Sequence, residues 1–148
     1  MIFNRQQLSY KTSMKKKFNQ IISLGHFCSV ALEMERIGLR NDSYPFDWLI
    51  TSDFDKVLDL IENRFDVFLD KSDLEQEEDK NHYLSRRNNL HFYHDFKYND
   101  VPFDQQFESV ERKYQRRIDR FYSSATQPTL FIRYLSASDT VESMRRGG

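Results

Sequence analysis

The chain has a single cysteine, Cys28, in 148 residues, so no internal disulfide can form and the small disulfide-stapled secreted folds are excluded. Glycine and proline are scarce, at four and three. There is no GxGxxG and no P-loop, so the usual nucleotide-binding motifs are absent. Neither sign of charge is in excess: 22 Lys and Arg face 23 Asp and Glu, for a formal net charge of −1. That balance removes the global electrostatic case for a nucleic acid or an anionic membrane as partner. Long apolar runs are missing as well. Lys15-Lys16-Lys17 ahead of Ile21-Ile22-Ser23-Leu24 imitates a signal peptide, but Asn19, Gln20 and His26 interrupt the apolar part and Glu33 soon ends it. No segment approaches the roughly 18 apolar residues that a membrane span requires. The expectation is a soluble protein without a membrane span, in a reducing, cytoplasmic setting.

What the chain does have is aromatic mass: 15% of its residues are Phe, Tyr or Trp, thirteen of them Phe. Disordered chains are poor in such rings, so this one folds around a core, and its length suits one domain. Residues 1–19 read as a polar leader, with Met14 an equally good start, and residues 20–148 as a single α/β domain.

Within that domain Gln20 to Leu24 form a short apolar run that stops at Gly25. From Cys28 the spacing of Val30, Ala31, Met34 and Ile37 is helical, with Gly38 where a C-cap belongs. Asn41 to Pro45 reads as a turn before the cluster Tyr44, Phe46 and Trp48. Ser52 and Asp55 resemble a capping box for a helix carrying Phe54, Val57, Leu58 and Ile61, to about Asn63. The acidic stretch 70–81 reads as an exposed loop. Leu90 to Phe96 alternates as a strand that sends His94 to the apolar face and His91 to the other, and His82 reads as exposed. Phe103, Phe107, Val110, Tyr114, Ile118 and Phe121 step by three and four, marking the clearest amphipathic helix. Thr129 to Leu135 is a third strand, carrying Arg133, and a further helix covers residues 139–146. The order favours an α/β fold with a small, mostly parallel three-stranded sheet flanked by helices. A doubly wound fold would supply another strand after that last helix, so the domain reads as an incomplete piece.

Ligands of open parallel sheets bind beyond the carboxyl ends of the strands. Three groups fall there: Gly25, His26 and Cys28; His94 and Asp95; and Ser136, Ser138 and Asp139. Cys28 lies in the first turn of its helix, where free N–H groups and the helix dipole favour a thiolate, and it is the candidate nucleophile. His94, or His91 in another register, is the candidate base, and Asp95 or Asp139 the acid that orients it. The plain alternative is a buried cysteine acting as a small hydrophobe, with His94 a hydrogen-bonded core imidazole. A metal site from His26, Cys28, His91 and His94 is disfavoured because His91 and His94 diverge on a strand, and no cofactor is expected. Lys113, Arg116, Arg117 and Arg120 form a basic stripe, either a solvated face or a seat for phosphate or an acidic glycan. Asp47, between large aromatics, needs a partner such as Arg40 or Arg133.

Five ordered blocks then carry a resemblance: Ser23-Leu24-Gly25-x-x-Cys28, Arg40-x-x-Ser43-Tyr44-Pro45-Phe46-Asp47-Trp48, His94-Asp95-Phe96, Arg116-Arg117-Ile118-x-Arg120-Phe121 and Phe131-Ile132-Arg133. Together, over residues 20–135, they resemble a bacterial family of papain-like cysteine peptidases. The resemblance implies Cys28 as nucleophile, His94 as base, and Asp95 or Asp47 as orienting acid. No Gln stands just before Cys28 where papain-type enzymes supply an oxyanion donor, a role open to backbone N–H groups at the helix start.

The expected function is therefore a cysteine-dependent hydrolase or acyl transferase acting on a peptide, acyl or glycan substrate. The rival is a non-catalytic module in which His26, Arg133, Asp139 and the basic stripe hold an anionic sugar or phosphate, as in surface-polysaccharide assembly. A hydrolase built on Ser23, which lies before the Gly25 turn, ranks last.

Overall fold

A computed structural model of the chain describes residues 17–148. The polar leader and Met14 lie wholly or largely outside the described residues. The elements run β1 (Gln20–Ser23), α1 (Cys28–Arg36), β2 (Leu49–Thr51), α2 (Phe54–Glu62), a 3₁₀ turn (Lys71–Asp73), β3 (Leu74–Gln76), β4 (Tyr83–Ser85), β5 (Leu90–Phe92), α3 (Phe103–Ser124), β6 (Thr129–Ile132) and α4 (Val141–Gly147).

The strands form two sheets. β1 and β6 pair in parallel, with Gln20 opposite Thr129 and Ser23 opposite Ile132. The other four pair antiparallel in the order β2-β5-β4-β3, with Leu49 opposite Phe92 and Thr51 opposite Leu90. This corrects the expectation of one mostly parallel three-stranded sheet. β2, β3 and β4 are three residues each, too short to display a period of two. The acidic stretch hides β3, a three-residue edge strand whose Glu75 discourages further pairing.

The larger core fills the space between the antiparallel sheet, α2 and α3, and it is built largely of rings: Phe46, Phe65, Phe68, Phe92, Phe96, Tyr114 and Phe121 are buried together. Each large apolar side chain so buried contributes roughly 1.5–3 kcal/mol. On α3 the buried residues Phe107, Val110, Tyr114 and Phe121 lie three, four and seven apart and so form one stripe. A smaller cluster of Ile21, Met34 and Leu39, joined by Leu130 and Ile132, seats α1 on the other face of the parallel pair. Gly38 (φ +69) follows α1, and its N–H donates to the Glu35 carbonyl. Asp53, not Ser52, caps α2, its carboxylate accepting the Lys56 N–H. Among the described residues no helix is long and apolar enough to cross a membrane.

Candidate active site

β1 leads into a tight turn in which Gly25 (φ +83) and His26 (φ +89) both take left-handed backbone conformations. Only glycine does this without strain, so His26 is held there by its surroundings. The Ser23 hydroxyl accepts the Gly25 N–H, the Gly25 carbonyl accepts the Tyr134 N–H, and the His26 carbonyl accepts the Thr51 N–H. The His26 N–H in turn donates to Thr51 Oγ1 at 2.9 Å. Immediately after this turn α1 begins at Cys28, a half-buried free thiol. Phe27, the residue at its N-cap, offers no side-chain hydrogen bond, and the first turn holds no acid. The start of α1 thus presents N–H groups and positive dipole around Cys28 without a built-in counter-charge.

Arg133, just beyond β6, closes the same region. Its Nη1 donates to the Leu24 carbonyl and to Thr51 Oγ1, and its Nη2 to the Thr51 carbonyl and, at 2.9 Å, to Asp139 Oδ1. The Asp139 Oδ2 accepts the Ser136 N–H. Side chains of this ion pair are 4% and 1% exposed, and the guanidinium also lies 4.5 Å from the centre of the Phe54 ring. Burial pushes the Asp139 carboxyl up, but the hydrogen bonds from Arg133 and Ser136 and the nearby cations outweigh it and hold it below the ordinary carboxylate value. The His26 ring is flanked by Phe27, edge-on at 4.0 Å, and by Tyr134, stacked at 5.4 Å. Burial and the Arg133 charge push the imidazole below the ordinary histidine value, against the opposing pull of Asp139. Its Nδ1 is buried without a hydrogen-bond partner, so the neutral ring is the stable form at neutral pH.

Comparison with known proteins shows the family of the chain. Residues 19–145 match a family described as "Putative papain-like cysteine peptidase". The chain belongs to this family. A similar protein, Uncharacterized protein R408 of Acanthamoeba polyphaga mimivirus, is 32% identical over 136 residues, covering 76% of this chain and 60% of that protein. The chain therefore spans about 60% of the length of the curated relative it matches, and since that relative is viral the bacterial restriction has no support. No solved structure gives a significant match.

The other candidate residues lie elsewhere. The pairing of Leu49 with Phe92 places residues 93–94 beside the start of β2, whereas Thr51 and the His26 turn are at its far end. Three residues of strand separate Trp48 from Thr51, about 10 Å at the usual rise. β5 stops at Phe92, so His94 sits on a bend, exposed, edge-on to Trp48 at 6.0 Å, and is not the core imidazole that strand alternation suggested. Among the described residues no hydrogen bond joins Cys28 to His26, His91 or His94. The same bend turns Asp95 inward, where its side chain pairs with Lys113 and accepts the Tyr114 hydroxyl at 2.8 Å. Asp47 is bound to Arg40, the first of its two suggested partners, through Nε and Nη2, and accepts the Tyr44 N–H. His91 hydrogen-bonds His82 at 2.9 Å, and His82 is buried rather than exposed. Among the described residues no group of three or more His, Cys, Asp and Glu is placed to hold a metal ion.

The basic stripe is only partly a solvated face: Lys113 is committed to Asp95, and Arg120 donates to the Ser43 carbonyl and pairs with Asp42. Arg133 likewise points its outer nitrogens at protein acceptors. Sequence reasoning missed Thr51 and Tyr134. Gly25 was the available signal, because a glycine between a strand and a helix announces a close approach, but it does not say to what.

Proposed function

We propose that the chain is a cysteine-dependent hydrolase or acyl transferase with Cys28 as nucleophile and His26, rather than His94, as its base. The observation that carries this reading is the position of Cys28 at the first residue of an uncapped helix, two residues after the buried His26. In the proposed reaction the Cys28 sulfur gives its proton to neutral His26 and attacks a carbonyl carbon. N–H groups at the start of α1 receive the negative charge that develops on the carbonyl oxygen. The bond to the leaving group breaks, and that group departs with the proton from His26. Water or an acceptor hydroxyl or amine then attacks the thioester, losing its proton to His26, and the sulfur is released and reprotonated. Asp139 and Arg133, an internally neutral pair, set the field around the ring and hold the turn. The whole protein's substrate is a peptide, acyl or glycan ester or amide in this reading.

The test needs no substrate: the pH dependence of iodoacetamide alkylation of Cys28 in the folded protein, with Cys28→Ser as the blank and His26→Ala as the variant. Alkylation already fast near pH 6, slowed by about tenfold or more in His26→Ala, is the expected result. Labelling that requires denaturant overturns the nucleophile and returns the chain to the non-catalytic binding reading. Fast labelling unaffected by His26→Ala but slowed by His94→Ala would restore His94 as the base.

A further inference from the structure

Thr51 is fully buried and its hydroxyl sits where three chain segments meet. Thr51 Oγ1 accepts from the His26 N–H at 2.9 Å and from Arg133 Nη1 at 3.1 Å, so both of its lone pairs are used. Its backbone is engaged by the same two residues: the N–H donates to the His26 carbonyl at 3.1 Å, and the carbonyl accepts Arg133 Nη2 at 2.9 Å. The turn reaches the hydroxyl only because residue 25 is glycine, since a Cβ there would lie 2.7 Å from Thr51 Oγ1. A non-glycine residue at φ +89 is strained and persists only where its neighbours over-determine it. One side chain therefore supplies the acceptor for the strained residue and links it to the Arg133–Asp139 pair.

We propose that Thr51 is the positioning residue of this site: its hydroxyl holds the strained His26 backbone, and through it the imidazole, in register with Cys28 at the start of α1. The proposal rests on the reading of Cys28 and His26 as nucleophile and base. It adds that the pair is aligned from β2, an element belonging to the other sheet, so that the two sheets meet in one hydroxyl group.

The variants that test it are Thr51→Val, which keeps the shape and removes the acceptor, and Thr51→Ser, which keeps the hydroxyl and removes a methyl group. Each is read by the pH profile of Cys28 alkylation and by the titration of the His26 ring in NMR spectra. Thr51→Val is expected to slow alkylation near pH 6.5 about tenfold and to move the His26 titration, while Thr51→Ser stays within about twofold of the parent. A purely structural threonine would lower the melting temperature of Thr51→Val and leave both the alkylation profile and the His26 titration in place, and that result overturns the proposal. Should Thr51→Val not fold, amide exchange in the parent protein decides: a His26 N–H that exchanges as fast as exposed amides has no acceptor in Thr51. If Cys28 of the parent labels only in denaturant, the nucleophile reading fails, and the His26 titration still decides the part played by Thr51.

Discussion

Each end of β2 carries an arginine–aspartate pair with a buried carboxylate: Arg133–Asp139 beside Thr51, and Arg40–Asp47 beside Trp48. The side chains of Asp139 and Asp47 are both shielded from solvent, at 1% and 2% exposed, yet Asp139 is the less deeply buried residue and the two carboxyls are displaced in opposite directions. At Asp47 burial dominates and pushes the carboxyl up, in spite of the Tyr44 N–H and the Arg40 charge. At Asp139 the Arg133 and Ser136 donors overcome burial. The greater depth of Asp47 and the different partners together explain the contrast. The Arg133 side chain is itself buried and turns both Nη groups to the ends of β1 and β2 as well, whereas Arg40 divides its donors among Asp47, Glu35 and Ser43 and stacks over Trp48. One pair is the clasp of three strand ends beside an imidazole. The other braces a loop. A buried ion pair is thus no pointer to a site by itself, and what it holds in place decides its meaning.

Removing the clasp should produce the largest effect. Arg133→Met leaves Asp139 buried and unpaired and unties Leu24 and Thr51, so we expect a loss of about 3–5 kcal/mol in urea denaturation. Arg40→Met leaves Asp47 with the Tyr44 N–H, next to a partner already in contact with solvent, and should cost about 1–3 kcal/mol. Equal losses in the two variants would break the comparison, because the distinction between clasp and brace would then have no energetic content.

The two ends of β2 were also unequally legible. Strand β1, helices α1 and α3, strand β6 and the start of α4 all follow from period and punctuation, because each either repeats its apolar spacing or ends on a glycine. His26, Cys28 and Asp139 could be grouped in advance, since they follow the ends of two strands that pair in parallel, although the same rule also drew in His94 and Asp95. The far end could not. β2 is three residues inside an aromatic turn, and without it nothing in the chain shows that the Trp48 loop and the His94 bend are neighbours. The alternation from Leu90 to Phe96 continues in the sequence after the strand itself has ended, because Phe96 is buried from the irregular segment after the bend rather than from a strand face. His94 gained its candidacy from that false continuation. Thr51 was invisible for a different reason: its importance lies in a contact with His26, 25 residues away, that no local pattern encodes.

The opposite displacements of the two carboxyls make a pH comparison the next sharpest test. Asp139, held low, contributes stability that is present above its unfolded value near 3.9 and is lost as pH falls through the folded value. Asp47, held high, binds its proton more readily when folded, so its contribution improves as pH falls from the raised value toward about 3.9. The destabilisation caused by Asp139→Asn should therefore shrink below about pH 4, while Asp47→Asn should destabilise less, or even stabilise, at pH 7 and lose that relative advantage near pH 4. The measurement is the urea midpoint of both variants and the parent between pH 3 and 7. His91 supplies a smaller slope at higher pH. Burial and the His82 ring hold it below the ordinary histidine value, so stability is lost as pH falls from about 6.5 through its folded value. His91→Asn should flatten that slope, and an unchanged slope would place its origin elsewhere.

The smallest effect compares the helices that start at the turn and just after Thr51. Asp53 caps α2, and Asp53→Ala should cost about 1 kcal/mol. α1 has no such cap, and Phe27→Asp would supply one together with a negative charge in front of Cys28. If the open start of α1 were merely an imperfect helix end, Phe27→Asp would stabilise the fold by about 0.5–1 kcal/mol and leave Cys28 chemistry alone. If its N–H groups and dipole serve the sulfur, the same substitution gains stability while slowing alkylation several-fold near neutral pH, because the new carboxylate occupies those donors and opposes the thiolate. We expect the second outcome. Stability and reactivity moving in opposite directions would mean that the helix is left uncapped at the expense of its own stability, which is the signature of a helix end that serves a reaction.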